Sequence, residues 1–240
     1  ERGGAVIIYG NSAEFKDSNI FTNNTAKTNG GAMYIAQETD VKISGTAKFI
    51  GNKAKEGLGG ALFVQGHLDI NADNPENDII FSGNIDSSGS NAFHISINPN
   101  DPEEIGIVNL NISNGSKIVL ADNISGQEGT KLNINGTSSY NDNVFLGSQN
   151  KDFKGDITAN NINLRFYNEQ SGLEAAKIYA ANTNFDFMNG TINRSTLNLN
   201  MSGGGNSLCI DVDPASLSSD YINLIDDPAN MTPLTIRDIN

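Results

Sequence analysis

The stretch FIGNKAKEGLGGALFV, Phe49 to Val64, limits what this chain can fold into more than any other, because it is one copy of a recurring pattern. A Phe-x-x-Asn, a short polar link and a Gly-Gly-Ala opening into an apolar run also make up FTNNTAKTNGGAMYI (Phe21 to Ile35). A worn version follows as FSGNIDSSGSNAFHI (Phe81 to Ile95), and a fragment, GGAVIIY, spans Gly3 to Tyr9. Asn24, Asn52 and Asn84 lie 28 and 32 residues apart, and Gly4, Gly31 and Gly60 lie 27 and 29 apart. Self-similarity at such a period marks units that stack on one another to bury a continuous core. The period is long for a hairpin and natural for a three-sided coil.

Stacked coils place equivalent residues above one another at strand spacing, about 4.8 Å. Phe21, Phe49 and Phe81 then form one inner ladder, and Met33, Leu62 and Phe93 part of another. Asn24, Asn52 and Asn84 suit an inner polar ladder at a tight bend, where asparagine tolerates left-handed backbone and bonds along the stack. The paired glycines, with Gly31 and Gly60 in the ladder of the second, allow positive φ and close backbone approach where the chain turns into the next strand. The expected fold is all-β: a right-handed, single-stranded parallel β-helix, a solenoid of the pectin-lyase-like kind. The rival is a β-sandwich, for which Asn114-Gly115, Asn135-Gly136 and Asn189-Gly190 supply hairpin signals in the second half.

Further along, short runs alternate apolar with polar residues, the mark of half-buried strands. They include VKISG (from Val41), LDINA (from Leu68), VNLNIS (from Val108), LNINGT (from Leu132), INLRFY (from Ile162) and LNLNMS (from Leu197). Taking Val41, Leu68, Val108, Leu132 and Ile162 as equivalent starts gives steps of 27, 40, 24 and 30 residues, which implies coils with loops of varied length. QSGLEAAKI (Gln170 to Ile178) reads as a short helical turn or a loop. NPNDPEEIG (Asn98 to Gly106) reads as a protruding polar loop, since Pro99 and Pro102 bar regular ladder pairing. No Gly/Ser or Pro linker divides the chain. It reads as one domain, 1–240, with the repeat coils at 1–106 and shorter irregular coils at 107–240. Because the first residues fall inside a repeat, it also reads as a piece of a longer protein, with targeting and anchoring segments elsewhere.

Fifteen Lys and Arg against 28 Asp and Glu give a net charge of −13. Binding to nucleic acid rests on clustered cations, and the four arginines here are scattered, so that class is excluded. Cys209 is the single cysteine, which rules out an intrachain disulfide and is compatible with export of an unfolded chain. No apolar run reaches the length of a membrane span.

The paired Phe-x-x-Asn and Gly-Gly-Ala marks of the first 95 residues resemble the repeats of the chlamydial polymorphic outer membrane proteins, which are autotransporter adhesins. In the third copy Ser90-Asn91-Ala92 replaces Gly-Gly-Ala, as at the end of a repeat array. The second half, in Lys117 to Thr137, Asn143 to Asn168 and Asn206 to Ile225, is similar to autotransporter passengers more generally. The resemblance implies a surface-exposed or secreted bacterial passenger. It would be carried by an outer-membrane β-barrel in the full-length protein and bind a host or bacterial cell-surface protein or glycan.

The chemistry of single residues adds little to this. In LCIDVD, alternation turns Leu208, Ile210 and Val212 inward and puts Asp211, Asp213 and Cys209 on the outer face. Asp211 and Asp213 are the candidate cation pair, though such a pair is more often a solvated face. Asp226 and Asp227 point apart if extended. His67 and His94, about one coil apart, read as surface residues, since a metal site needs further ligands. Asn111-Ile112-Ser113 and Asn123-Ile124-Ser125 match a glycosylation triplet by chance composition. The expectation is therefore a scaffold or adhesin with no catalytic residue and no cofactor, whose loops at Asn71 to Asp78 and Asn98 to Gly106 reach a partner. The alternatives are a polysaccharide-cleaving β-helix enzyme and a self-associating surface protein.

Overall fold

A computed structural model describes residues 1–138, 140–169, 171–192, 194–200, 204–213, 218–225 and 235–237. Its long sheets are parallel, and each strand pairs with its counterpart one coil further on. Two such sheets of nine strands run the length of the described chain, a third of six strands reaches from Val6–Ile8 to Asp152–Phe153, and no helix occurs among the described residues. This is a parallel β-helix, not a sandwich.

One coil shows how the sequence drives it. Met33–Ile35 lies in the first sheet, Thr39–Ser44 in the second and Thr46–Ile50 in the third, after which Lys53–Ala54 closes the coil in a short fourth strip. On the second sheet Val41, Leu68, Val108, Leu132 and Ile157 stand in register, and all are buried. Period-two alternation sends every second residue inward. On the first sheet Met33, Leu62, Phe93 and Ile124 form the matching internal row. Phe21, Phe49 and Phe81 stack face to face, with centroid separations of 4.9 and 4.7 Å. Stacked pairs of this kind contribute about 0.5–1.5 kcal/mol each beyond their burial.

The two glycines of each repeat do different work. The first, Gly3, Gly30 or Gly59, has φ of +56, +69 or +73°, a left-handed turn. The second is crowded: a Cβ on Gly31 would lie 2.0 Å from the Gly60 carbonyl oxygen, and one on Gly60 would lie 2.3 Å from that of Asn91. The left-handed bend beside the asparagine ladder falls on the residue before each asparagine, at Asn23, Gly51 and Gly83.

Four sequence expectations are corrected. Ile157, not Ile162, follows Leu132 on the second sheet. The chain turns at Asn161 (φ 50°), so the INLRFY run supplies Asn163–Phe166 to the third sheet. The GLEAAKI segment is a strand, Leu173–Ala181, because parallel neighbours on both sides and burial of Leu173, Ile178 and Ala180 outweigh its weak helical preference. Asn114-Gly115, both with positive φ, turns the chain from one face of the coil to the next and makes no hairpin. A true hairpin forms where prolines argued against pairing: Ile97–Asn98 runs antiparallel to Asp101–Ile105 with an irregular register that leaves Pro102 out of the pairing.

Candidate functional site

Residues that point outward from the first sheet gather into a trough. Tyr34, Phe63, His94, Ser125 and Asp152 occupy equivalent positions on successive coils. Tyr34 stacks on Phe63 at 5.3 Å and Phe63 on His94 at 5.5 Å, leaving ring edges as the floor. Arg2 sits 4.8 Å above the Tyr34 ring and donates to its hydroxyl at 2.9 Å, while that hydroxyl donates to Gln65 Oε1. Two cavities, of about 370 and 470 Å³, meet at Leu58, His94 and Gln127 and together extend from Arg2 to Lys154 across six coils. The hairpin at Ile97–Ile105 borders one end through Ile97 and Pro99.

His94 is the electrostatic centre of the trough. It is 6% exposed, and burial pushes its pKa down to about 4, so the ring is neutral at physiological pH. Asn91 Nδ2 donates to Ser125 Oγ at 2.8 Å, and Ser125 Oγ lies 2.8 Å from His94 Nδ1. With the serine hydroxyl accepting from Asn91 and donating to Nδ1, the ring proton stands on Nε2. His94 Nε2 and Asn91 Oδ1 have no partner in the protein. Nearby, burial raises the Asp86 carboxyl above the usual range against the lowering effect of hydrogen bonds from Ser88 and Gly59, and Asp152 adds a further upward push.

The other sequence candidates go elsewhere. Asn24 Nδ2 donates to Asn52 Oδ1, Asn52 Nδ2 to Asn84 Oδ1, and Asn84 Nδ2 to Asp122 Oδ2, at 2.9, 2.9 and 2.7 Å. Asp122, which closes this row, carries no repeat mark and escapes a reading by motif. Of the candidate pair Asp211 and Asp213, only Asp211 has a described side chain. The third-sheet strand Ser207–Cys209 ends before them, and Asp211 Oδ2 accepts from the backbone of Asn189 and Gly190 at 2.9 and 2.7 Å. Val212, expected inside, is 54% exposed, because Val212–Asp213 turns back against Ser218–Ser219. The Asp213 side chain, Asp226 and Asp227 lie outside the described residues. Cys209 is buried, its Sγ 3.3 Å from Asn184 Oδ1, where alternation had placed it outside.

His94 is likewise no surface residue. His67 is the exposed one of the two, 3.2 Å from Asp40 on the second sheet. A separate cavity of about 340 Å³ is lined by Glu38, Asp40, His67, Glu103 and Glu104. Among the described residues no three His, Cys, Asp or Glu side chains are arranged to hold a metal ion.

No protein-family profile matches the chain, and no solved structure matches it. Over 91 residues, 35% of this chain and 9% of the relative, the sequence is 36% identical to the "Probable outer membrane protein PmpG" of Chlamydia muridarum (strain MoPn / Nigg).

Proposed function

We propose that the chain is part of the β-helical passenger of an autotransporter-type protein, displayed at the bacterial surface or secreted. It acts as a stiff scaffold that presents side excursions and the trough to a host or neighbouring-cell partner, and it is not an enzyme. The observation that carries this reading is the continuous parallel pairing of successive coils alongside unequal excursions. The equivalent asparagines Asn111 and Asn135 are 24 residues apart, and Asn71 and Asn111 are 40 apart. Similarity to an outer membrane protein supports the location. The test is labelling of intact and permeabilised cells producing the full-length protein, with antibodies raised against this chain. Labelling of intact cells is expected. Signal seen only after permeabilisation, with none in the medium, overturns the reading.

Polysaccharide cleavage is the second reading, favoured by Asp86 and Asp152 lining one cavity with Lys154. A depolymerisation screen with and without Ca²⁺ decides it. Release of reducing or unsaturated ends that stops in Asp86→Asn replaces the scaffold by an enzyme.

A further inference from the structure

The trough has a chemical character that selects among ligands. Of the four buried side-chain polar atoms without a protein partner among the described residues, two, His94 Nε2 and Asn91 Oδ1, belong to residues that line its larger cavity. His94 is 6% exposed and Asn91 4%. With the ring proton on Nε2, one is a donor and the other an acceptor. A buried polar atom left unpaired costs about as much as a lost hydrogen bond, so a group that satisfies both is favoured there. A hydroxyl, which donates and accepts at once, does so.

The remaining lining disfavours the other common ligand classes. In the larger cavity an anion meets Asp86 and Asp152 against one cation, Lys154. A metal cation finds no set of three ligands among the described residues. A peptide recognised by strand addition needs an open sheet edge. At the trough, however, the backbones of Leu62–Val64 and Phe93–Ile95 are already paired to strands on both sides. What is left is an elongated, uncharged molecule rich in hydroxyls. Gln65 and Gln127 line the trough at equivalent positions two coils apart; their Oε1 atoms already accept from Tyr34 and from Ser96 and Ile97, which leaves amide N–H donors for the molecule.

We propose that this trough binds an uncharged oligosaccharide laid along the coil axis, with one hydroxyl seated between His94 Nε2 and Asn91 Oδ1. The proposal names a ligand class for the display role inferred above and rests on that role for its biological setting. The site itself stands on this chain alone.

The experiment is calorimetric titration of the 240-residue chain with four probes: maltohexaose, N-acetylglucosamine hexamer, hexagalacturonate and a chitosan hexamer. Two variants accompany it. His94→Phe keeps the ring in its stack while removing both nitrogens, and Ser88→Trp, on the exposed rim, fills the larger cavity without touching the core. The expected result is saturable binding of an uncharged hexamer, weakened at least tenfold in both variants. Circular dichroism and the thermal midpoint of Ser88→Trp should stay those of the parent. No binding of either uncharged probe at millimolar concentration overturns the proposal. So does tighter binding of the anionic or cationic hexamer, or uncharged binding that both variants leave intact. A protein that labels on intact cells yet ignores the saccharides loses the trough assignment and keeps its display role.

Discussion

Asn52 donates its side-chain amide to Asn84 Oδ1 at 2.9 Å, and both residues are fully buried. The same Nδ2 donates to the Phe21 carbonyl at 2.9 Å, while Asn52 Oδ1 accepts from the Asn24 backbone and side chain. Each amide thus ties three coils at one corner. The row runs in one donor direction and ends on Asp122, a carboxylate that has only acceptors to offer.

Asn52→Ala should therefore leave several buried groups unpaired at once and cost about 3 kcal/mol. Asn24→Ala, at a half-exposed position, should cost about 1 kcal/mol. Urea unfolding of both variants checks this, and equal midpoints would refute a cooperative row.

The second repeat glycine predicts a steric effect without strain in φ. Gly60→Ala puts a methyl 2.3 Å from a backbone oxygen and should destabilise by about 3 kcal/mol. Gly204, which has nothing within 4 Å and no left-handed φ, is the control. Gly204→Ala should change the midpoint by less than about 0.5 kcal/mol.

Stability should fall in mild acid because of His94. Its folded pKa, about 4, lies below the ordinary 6.5. Above pH 6.5 the ring is neutral in both states. Below it the unfolded chain binds a proton that the folded chain refuses, so stability is lost from pH 6.5 down to about 4 and then levels off. The loss amounts to about 3 kcal/mol. Asp86, whose carboxyl is raised, opposes this, since its folded form takes a proton before the unfolded one does. His94→Phe should flatten the profile between pH 6.5 and 4, and an unchanged slope would remove His94 as its cause.

Asp142 predicts a second acid step. Burial alone would raise its carboxyl, but the Thr137 hydroxyl and the Thr137, Gly115 and Ser138 backbone amides outweigh that and hold it below the usual range. Its contribution is present above the ordinary carboxylate pKa and disappears as pH falls through the lowered one. Asp142→Ala should cost about 2–3 kcal/mol at pH 7, with the difference from the parent shrinking in strong acid.

The β-helix was legible in the sequence because its cause is periodic. The pattern around Phe49 and Asn52 recurs every 27 to 32 residues, and only stacking gives such a recurrence one use. Positions set by local turns were less legible. Asn161 bends the chain one corner early, and so the INLRFY run changes sheet. Alternation placed Val212 inside, but the strand had already ended at Cys209. The trough was not legible at all. Arg2, Leu58, His94, Gln127 and Lys154 share no motif and meet only because stacked coils bring them to one face. His94 reads as an ordinary surface histidine until Phe63 is seen beneath it.

The unequal coils have a consequence for how such a chain changes over time. A coil that adds 24 residues and one that adds 40 each advance the stack by a single strand. Length in sequence is thereby uncoupled from length in space. Insertions and deletions at the corners alter girth and leave reach untouched, so what the molecule exposes at its sides can be rewritten while the distance it spans is kept.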